Sequence, residues 1–144
     1  MKIYLAHSHR HRLDGKGLEH RLRGWGHQVY NPFTGDDHAR RLTQEWETAE
    51  EAGDHERLRR LCDAIYHKDL SHIADSEAVV VYYPDESTGT AMETPIAHRL
   101  RKLVIVLTDI IHPFIQCNAD HVLPCTPDGI EQLQTLLEEE AKNG

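Results

Sequence analysis

Residues 69–93 read DLSHIADSEAVVVYYPDESTGTAME, and the run at 77–83 in the centre of this stretch decides the fold. A continuous run of Val and Tyr with strand length is typical of a strand that is buried on both faces of a parallel sheet. Helix-prone sequence precedes the run, and a turn that contains Gly89 separates it from a further helical segment. The stretch therefore predicts a helix–strand–helix unit of an α/β protein.

Outward from this unit, strand and helix patterns continue to alternate in both directions. Further strands are predicted at 2–6, 27–30 and 103–108, with a short edge strand at 121–124. Helices are predicted at 13–25, twice between 36 and 73 with a break near Gly53, from about 90 to 101, and from 127 to about 141; residues 109–121 are expected to be irregular. The pattern predicts one α/β domain over residues 1–144, a doubly wound (Rossmann-like, flavodoxin-like) sheet of four to five mostly parallel strands flanked by helices.

Composition narrows the function classes. The 144 residues carry a formal net charge of −8, which argues against a nucleic-acid binder, because phosphate backbones require clustered Lys and Arg. No apolar run approaches the length of about 18 residues that a membrane span requires, and the first strand begins at residue 2. We therefore expect a cytoplasmic protein with no nucleic-acid or membrane partner. The three cysteines form no CxxC pair, so buried reduced thiols are expected.

Carboxylates flank the buried strand, where a ligand of a doubly wound sheet is expected to bind. Ligands lie beyond the carboxyl ends of the strands, so the loops at 7–12 and 84–93 matter most. Asp69 stands at the predicted end of the preceding helix, and Glu93 stands near the start of the next one, where the helix dipole helps to keep a carboxylate ionised. An ionised carboxylate can attack an anomeric carbon as the leaving base departs. Gly89 allows a ligand to approach the backbone closely.

The same residues, taken in order, resemble a known family. Four motifs are similar to those of the nucleoside 2-deoxyribosyltransferases and of their relatives that hydrolyse 2′-deoxynucleoside 5′-phosphates. They are Tyr4-Leu5-Ala6, Asp69 with Ile73, the Val-rich strand, and Gly89-Thr90-x-x-Glu93. The resemblance implies that Glu93 is the nucleophile and Asp69 a substrate-binding acid. It also implies that Tyr4 lies near the nucleophile, although core packing is the preferred interpretation of Tyr4 from the sequence.

Departures from the family pattern concern the sugar 5′ end. The transferases that act on free nucleosides have an Asp six residues before the nucleophile, whereas this chain has Ser87. A serine removes a charge that would repel a phosphate and provides a hydrogen-bond donor. Ser8 and Arg10 match a Ser-x-Arg of the relatives that act on 5′-monophosphates. Together these residues favour a nucleotide substrate, although Ser87 also suits a plain helix cap.

Two further positions bear on assembly and on activity. Asn118 falls where the transferases carry an asparagine that reaches the site of a neighbouring subunit, which implies a dimer or a larger homo-oligomer. Pro95 stands where relatives usually have Gly. Proline suits a first helical turn, so Pro95 indicates a shift in where the helix begins, which would re-aim Glu93 relative to the family pattern.

Three alternating histidines, His7, His9 and His11, raise the possibility of a metal site, because on an extended chain they would face one side. No further set of ligands at metal-binding spacing completes such a site, and the resembling family uses no metal. We therefore expect neither a metal nor a cofactor, and contact of one of these histidines with a phosphate or a base is the preferred interpretation.

The combined interpretation is cleavage or transfer at the N-glycosidic bond of a (deoxy)nucleoside or its 5′-monophosphate. The variable segment at 34–66 is expected to form the base pocket, with Trp46 as a residue that covers the base. Two alternatives stay open: a catalytically silent nucleotide-binding sensor of the same fold, and an NAD-type glycohydrolase.

Overall fold

All five strands of the sheet are parallel. The computed structural model describes residues 1–143 and has strands β1 (Lys2–Ala6), β2 (Gln28–Tyr30), β3 (Ala78–Tyr82), β4 (Leu103–Leu107) and β5 (His121–Leu123). Their spatial order is β2-β1-β3-β4-β5. The helices are α1 (Arg12–Gly24), α2 (Asp37–Ala52), α3 (His55–Asp75), α4 (Thr88–Arg99), α5 (Pro113–Gln116) and α6 (Pro127–Asn143). The strand order reverses between β1 and β3, which confirms the doubly wound fold.

Side chains that alternate along the strands form two cores, one on each face of the sheet. Ile3 and Leu5 face the layer of α1 and α6, whereas Tyr4 and Ala6 face the layer of α3, α4 and α5. The first core also contains Leu18, Leu22, Leu133 and Leu137 from the helices, and the second contains Ile73, Ala97 and Ile115. Because both faces are covered, β1, β3 and β4 are apolar along most of their length.

A helical hairpin of α2 and α3 extends beside the sheet and supplies one wall of the candidate site. Asp36 caps α2 by accepting a hydrogen bond from Ala39 N at 2.7 Å. Gly53 ends the helix with a φ of 66°, a left-handed conformation that glycine adopts at little cost. Asp54 caps α3 through Arg57 N. The predicted pair of helices with a break near Gly53 is therefore confirmed.

Several local predictions are wrong. The segment at 109–121 is not wholly irregular, because a proline at the first position and a His112 cap nucleate α5. Pro95 is the eighth residue of α4 instead of a residue of its first turn. The thiols are not buried, since Cys62 and Cys117 are exposed and Cys125 is partly exposed; all three are free. Across residues 1–143, no helix combines the length and the apolar character needed to cross a membrane.

Candidate active site

The residues predicted to be catalytic converge beside the point where the strand order reverses. Tyr4, on β1, is fully buried, and its hydroxyl donates a hydrogen bond of 2.5 Å to Glu93 Oε2. Glu93 projects from the second turn of α4, the helix that follows β3. Asp69, from α3, lines the same cavity of about 210 Å³ as Glu93 and Gly89. Three elements that are distant in sequence thus bring two carboxyl groups and a phenol together.

The carboxyl of Glu93 is not kept ionised by the helix, contrary to the prediction from the sequence. Burial raises the pKa of Glu93 to about 8, and the negative charge of Asp69 adds to the shift. The hydrogen bond from Tyr4 and the charge of Lys68 lower this pKa but do not offset burial. Glu93 is the sixth residue of α4, beyond the first turn in which the helix dipole acts. At pH 7 the carboxyl is therefore largely protonated.

Asp69 is paired with a buried lysine that the sequence analysis missed. Lys68 Nζ donates to Asp69 Oδ1 at 2.5 Å and to the carbonyl of Pro32 at 2.7 Å. Burial raises the pKa of Asp69, while the hydrogen bond and the charge of Lys68 lower it. Asp69 lies six residues before the end of α3, so its predicted position at a helix end is wrong. The available signal was spacing, because Lys68 continues the inner stripe of Leu61 and Ile65 at helical intervals.

A larger cavity of about 420 Å³ adjoins Asp69 and lies between the α2–α3 hairpin and the loop after β2. This volume falls in the range of small-molecule sites, roughly 300–1,000 Å³. The cavity is lined by His9, Pro32, Phe33, Leu42, Thr43, Trp46, Glu47, Glu50, Cys62, Ile65, Tyr66, Lys68 and Asp69. Most of these residues belong to the segment at 34–66, which the sequence predicts to form the base pocket, and Trp46 is among them.

The side chains predicted to hold the 5′ end already have partners within the chain. The hydroxyl of Ser8 accepts a hydrogen bond from Arg10 N at 3.1 Å and caps a short 3-10 turn. The guanidinium of Arg10 donates to Asp85 Oδ1 at 2.6 Å and to the carbonyl of Glu86 at 2.9 Å. His11 Nε2 lies 2.9 Å from the same oxygen of Asp85. The imidazole of His11 and the guanidinium of Arg10 lower the pKa of Asp85, so the acid is a carboxylate that a phosphate would have to displace.

Ser87 and Gly89 lie at the amino end of α4. The hydroxyl of Ser87 donates to Thr90 Oγ1 at 3.2 Å, and its backbone N–H donates to the hydroxyl of Tyr83 at 3.2 Å. Ser87 borders a hollow on the α5 side, whereas Gly89 lines the cavity of Glu93. A Cβ atom at Gly89 would meet none of the described atoms within 4 Å, so there is open space beside this backbone.

Asn118 does not join the other predicted site residues within one chain. It follows α5, and its amide donates a hydrogen bond of 2.9 Å to the carbonyl of Phe114. Phe114 is 61% exposed, as is Met92, which borders the same hollow as Phe114. The contact of Asn118 with a neighbouring subunit stays a prediction.

The three alternating histidines make different polar contacts. His7 is buried, its Nδ1 lies 3.3 Å from the carbonyl of Leu5, and its ring packs edge-on against Phe33. His9 pairs with Glu47 at 2.7 Å, and His11 contacts the 84–87 loop instead. Within the part of the chain that the structure describes, no group of three His, Cys, Asp or Glu side chains is arranged to hold a metal ion.

Comparison with known proteins identifies the fold. No protein-family model and no curated protein matches the chain. Among solved structures, it is similar to the 2-deoxyribosyltransferase of Bacillus psychrosaccharolyticus, with a TM-score of 0.61 and 21% identity over 85% of each chain. It is also similar to the CMP N-glycosidase BcmB of Clostridium botulinum, with a TM-score of 0.56 and 16% identity over 94% of this chain and 98% of that chain. The Vibrio vulnificus NanR protein complexed with ManNAc-6P matches with a TM-score of 0.56 and 12% identity over 99% of this chain and 50% of that chain. The chain therefore has a nucleoside deoxyribosyltransferase-like fold, as the resemblance of its motifs predicted.

Proposed function

We propose that the chain cleaves or transfers the N-glycosidic bond of a nucleoside or its 5′-monophosphate, with Glu93 as the nucleophile. The observation that carries the proposal is the hydrogen bond from Tyr4 to Glu93, made in a cavity that Asp69 also lines. The names of two proteins of the same fold, a 2-deoxyribosyltransferase and a CMP N-glycosidase, support this class of reaction.

The reaction begins when Glu93 gives its proton to solvent. The carboxylate attacks C1′ of the sugar, a C–O bond forms, and the C1′–N bond breaks with its electron pair leaving on the base. Water then hydrolyses the glycosyl ester, or a second base takes the sugar, and Glu93 is regenerated. Burial and the neighbouring Glu93 hold the pKa of Tyr4 far above its usual value, so the phenol stays a donor. It fixes Oε2 and leaves Oε1 for the attack.

The remaining contacts bind the two ends of the substrate, the base and the sugar 5′ end. Asp69 accepts hydrogen bonds from the sugar or the base, and the cavity of about 420 Å³ holds the base against Trp46. Arg10, with Ser8 and Ser87, holds the 5′ end. A 5′-phosphate exchanges with the carboxylate of Asp85 on Arg10, whereas a free 5′-hydroxyl leaves that ion pair intact.

Assembly into a dimer or larger homo-oligomer is part of the proposal. Phe114, which contacts Asn118, and Met92, which borders the same hollow as Phe114, supply exposed apolar surface for such an interface. Sedimentation velocity tests this point: a monomer at micromolar concentration would contradict it.

The test of the proposed function is release of free base, measured by chromatography, from a panel of nucleosides, their 5′-monophosphates and NAD. Each substrate is incubated with wild type and with Glu93→Ala, with and without an acceptor base. Release by the wild type alone supports the proposal, and formation of a new nucleoside with the acceptor indicates transfer. Equal release by both proteins would contradict a role for Glu93 as nucleophile.

A second function, nucleotide sensing without turnover, is favoured by one observation. The pKa of about 8 leaves Glu93 mostly protonated at pH 7, which suits a hydrogen-bond donor to a bound ligand better than a nucleophile. Calorimetric binding of a nucleotide with no base release between pH 6 and pH 9 would support the sensor and reject the enzyme.

A further inference from the structure

Lys68 carries a buried positive charge beside Asp69, in the wall of the large cavity. Only 5% of its side chain is exposed, and the residue lines the cavity of about 420 Å³. A buried ammonium is unfavourable unless it is well paired. One pairing is with Asp69, and the ammonium also lies 5.7 Å from the centre of the Tyr30 ring. Its charge lowers the pKa of Glu93, which indicates that it lies within electrostatic reach of the proposed nucleophile.

The hydrogen bonds of Lys68 leave one donor unused. An ammonium has three N–H donors, and two of them go to Asp69 Oδ1 and to the carbonyl of Pro32. In residues 1–143 there is no third acceptor within hydrogen-bond distance. Two other donors around the cavity are engaged: the hydroxyl of Thr43 donates to backbone carbonyls, and Trp46 Nε1 donates to Glu50. Lys68 therefore offers a charged donor to whatever occupies the cavity.

We infer that Lys68 is a catalytic residue whose free N–H contacts an acceptor atom of the departing base. The inference rests on the proposed function. As Glu93 bonds to C1′ and the C1′–N bond breaks, the electron pair moves onto the base, which then takes a proton from solvent. A fixed ammonium beside the ring stabilises that developing negative charge more than it stabilises the intact substrate. Asp69 and Pro32 hold the ammonium in place.

A change of leaving group tests this role. The substrates are guanosine, N7-methylguanosine and their 5′-monophosphates. The two bases differ by one methyl group, but the methylated base leaves as a neutral molecule, so no negative charge on it needs to be stabilised. Loss of the ammonium also raises the pKa of Glu93, so both rates should fall. Lys68→Met should nevertheless lower kcat for guanine release about 20-fold more than kcat for N7-methylguanine release. If the wild type releases no guanine, the comparison is made between nicotinamide riboside, whose base also leaves as a neutral molecule, and the nucleoside of whichever base the wild type does release. Lys102→Met, which removes an ammonium bound to the Ala74 carbonyl, is the control and should change neither rate.

Parallel loss of both rates would overturn the inference, because a residue that only maintains the site affects both leaving groups alike. If Lys68→Met does not fold, Lys68→Gln replaces it; the amide can donate to Asp69 and Pro32 without the charge and should give the same leaving-group dependence. Lys68→Arg should keep at least a tenth of the wild-type kcat for guanine. A wild type that releases no base from any substrate is a distinct outcome that rejects the proposed function, and the inference with it.

Discussion

Replacement of Tyr4 by phenylalanine removes one hydroxyl and keeps the ring that fills the core. In the wild type this hydroxyl donates a 2.5 Å hydrogen bond to Glu93 and lowers the pKa of its carboxyl against the effect of burial. In the variant, burial and the charge of Asp69 act without this opposing contact. The pKa of Glu93 should therefore rise above its wild-type value of about 8.

The size of the rise follows from the strength of the lost bond. A hydrogen bond to a charged group contributes about 1.5–3 kcal/mol, which corresponds to about 1–2 pKa units. At pH 7 the ionised fraction of Glu93 would fall from about a tenth to about a hundredth or less. We expect kcat at pH 7 to fall about 10- to 100-fold. At pH 10 the loss should be at most about twofold, because at least about half of the Glu93 carboxyls of the variant are then ionised.

The assay is the pH profile of kcat for base release between pH 5 and pH 10. The acid limb of Tyr4→Phe should lie about 1–2 units above that of the wild type. Tyr30→Phe is the matched control, because the Tyr30 hydroxyl is buried nearby and has no hydrogen-bond partner among the described residues. Superimposable profiles, or an equal loss at every pH, would refute the role of Tyr4 as the donor that tunes Glu93.

Three further outcomes are expected. Gly15→Ala sets a methyl group 2.4 Å from the buried Nε2 of His7 and should lower the free energy of unfolding by about 1–3 kcal/mol in urea titrations. Gly17→Ala, on the same helix, meets no described atom within 4 Å and should raise the free energy of unfolding by up to about 1 kcal/mol. Tyr30→Phe removes a buried hydroxyl that has no hydrogen-bond partner among the described residues, so it should raise the midpoint of thermal unfolding. A lower midpoint would show that the hydroxyl does have a partner. Asp85→Asn should raise the preference for a 5′-monophosphate over its nucleoside by about two- to fivefold in kcat/KM, because it removes the carboxylate that pairs with Arg10. The control is Glu86→Gln, which should leave this preference unchanged because Arg10 contacts only the backbone carbonyl of Glu86.

Most of the fold could be predicted because its signals are local. The unbroken Val run of β3 and the alternation of β1 indicate strands without knowledge of their partners, and Gly53 marks a helix end by itself. The start of α4 was harder, because Ser87 and Pro95 are competing start signals. The helix begins after Ser87 and continues through Pro95, even though proline cannot donate the backbone hydrogen bond at that position.

The candidate site was predictable as a set of residues but not as a network. The partners of its decisive contacts lie far apart in sequence: 89 residues separate Tyr4 from Glu93, and 75 separate Arg10 from Asp85. The ionisation state of Glu93 depends on burial, which spacing along the chain does not reveal. Lys68 was missed because a lysine beside an aspartate in a charged helix resembles an exposed ion pair.

The proposed reaction requires Glu93 to form a covalent bond to the sugar. The most direct measurement is intact-protein and peptide mass spectrometry after incubation with a 2′-fluoro-2′-deoxy nucleoside or its 5′-monophosphate, because the fluorine slows hydrolysis of the glycosyl ester. We predict an adduct of the sugar mass on the peptide that contains Glu93, and no adduct on the Glu93→Gln variant. Base release without an adduct, or an adduct on any other residue, would rule out Glu93 as the nucleophile.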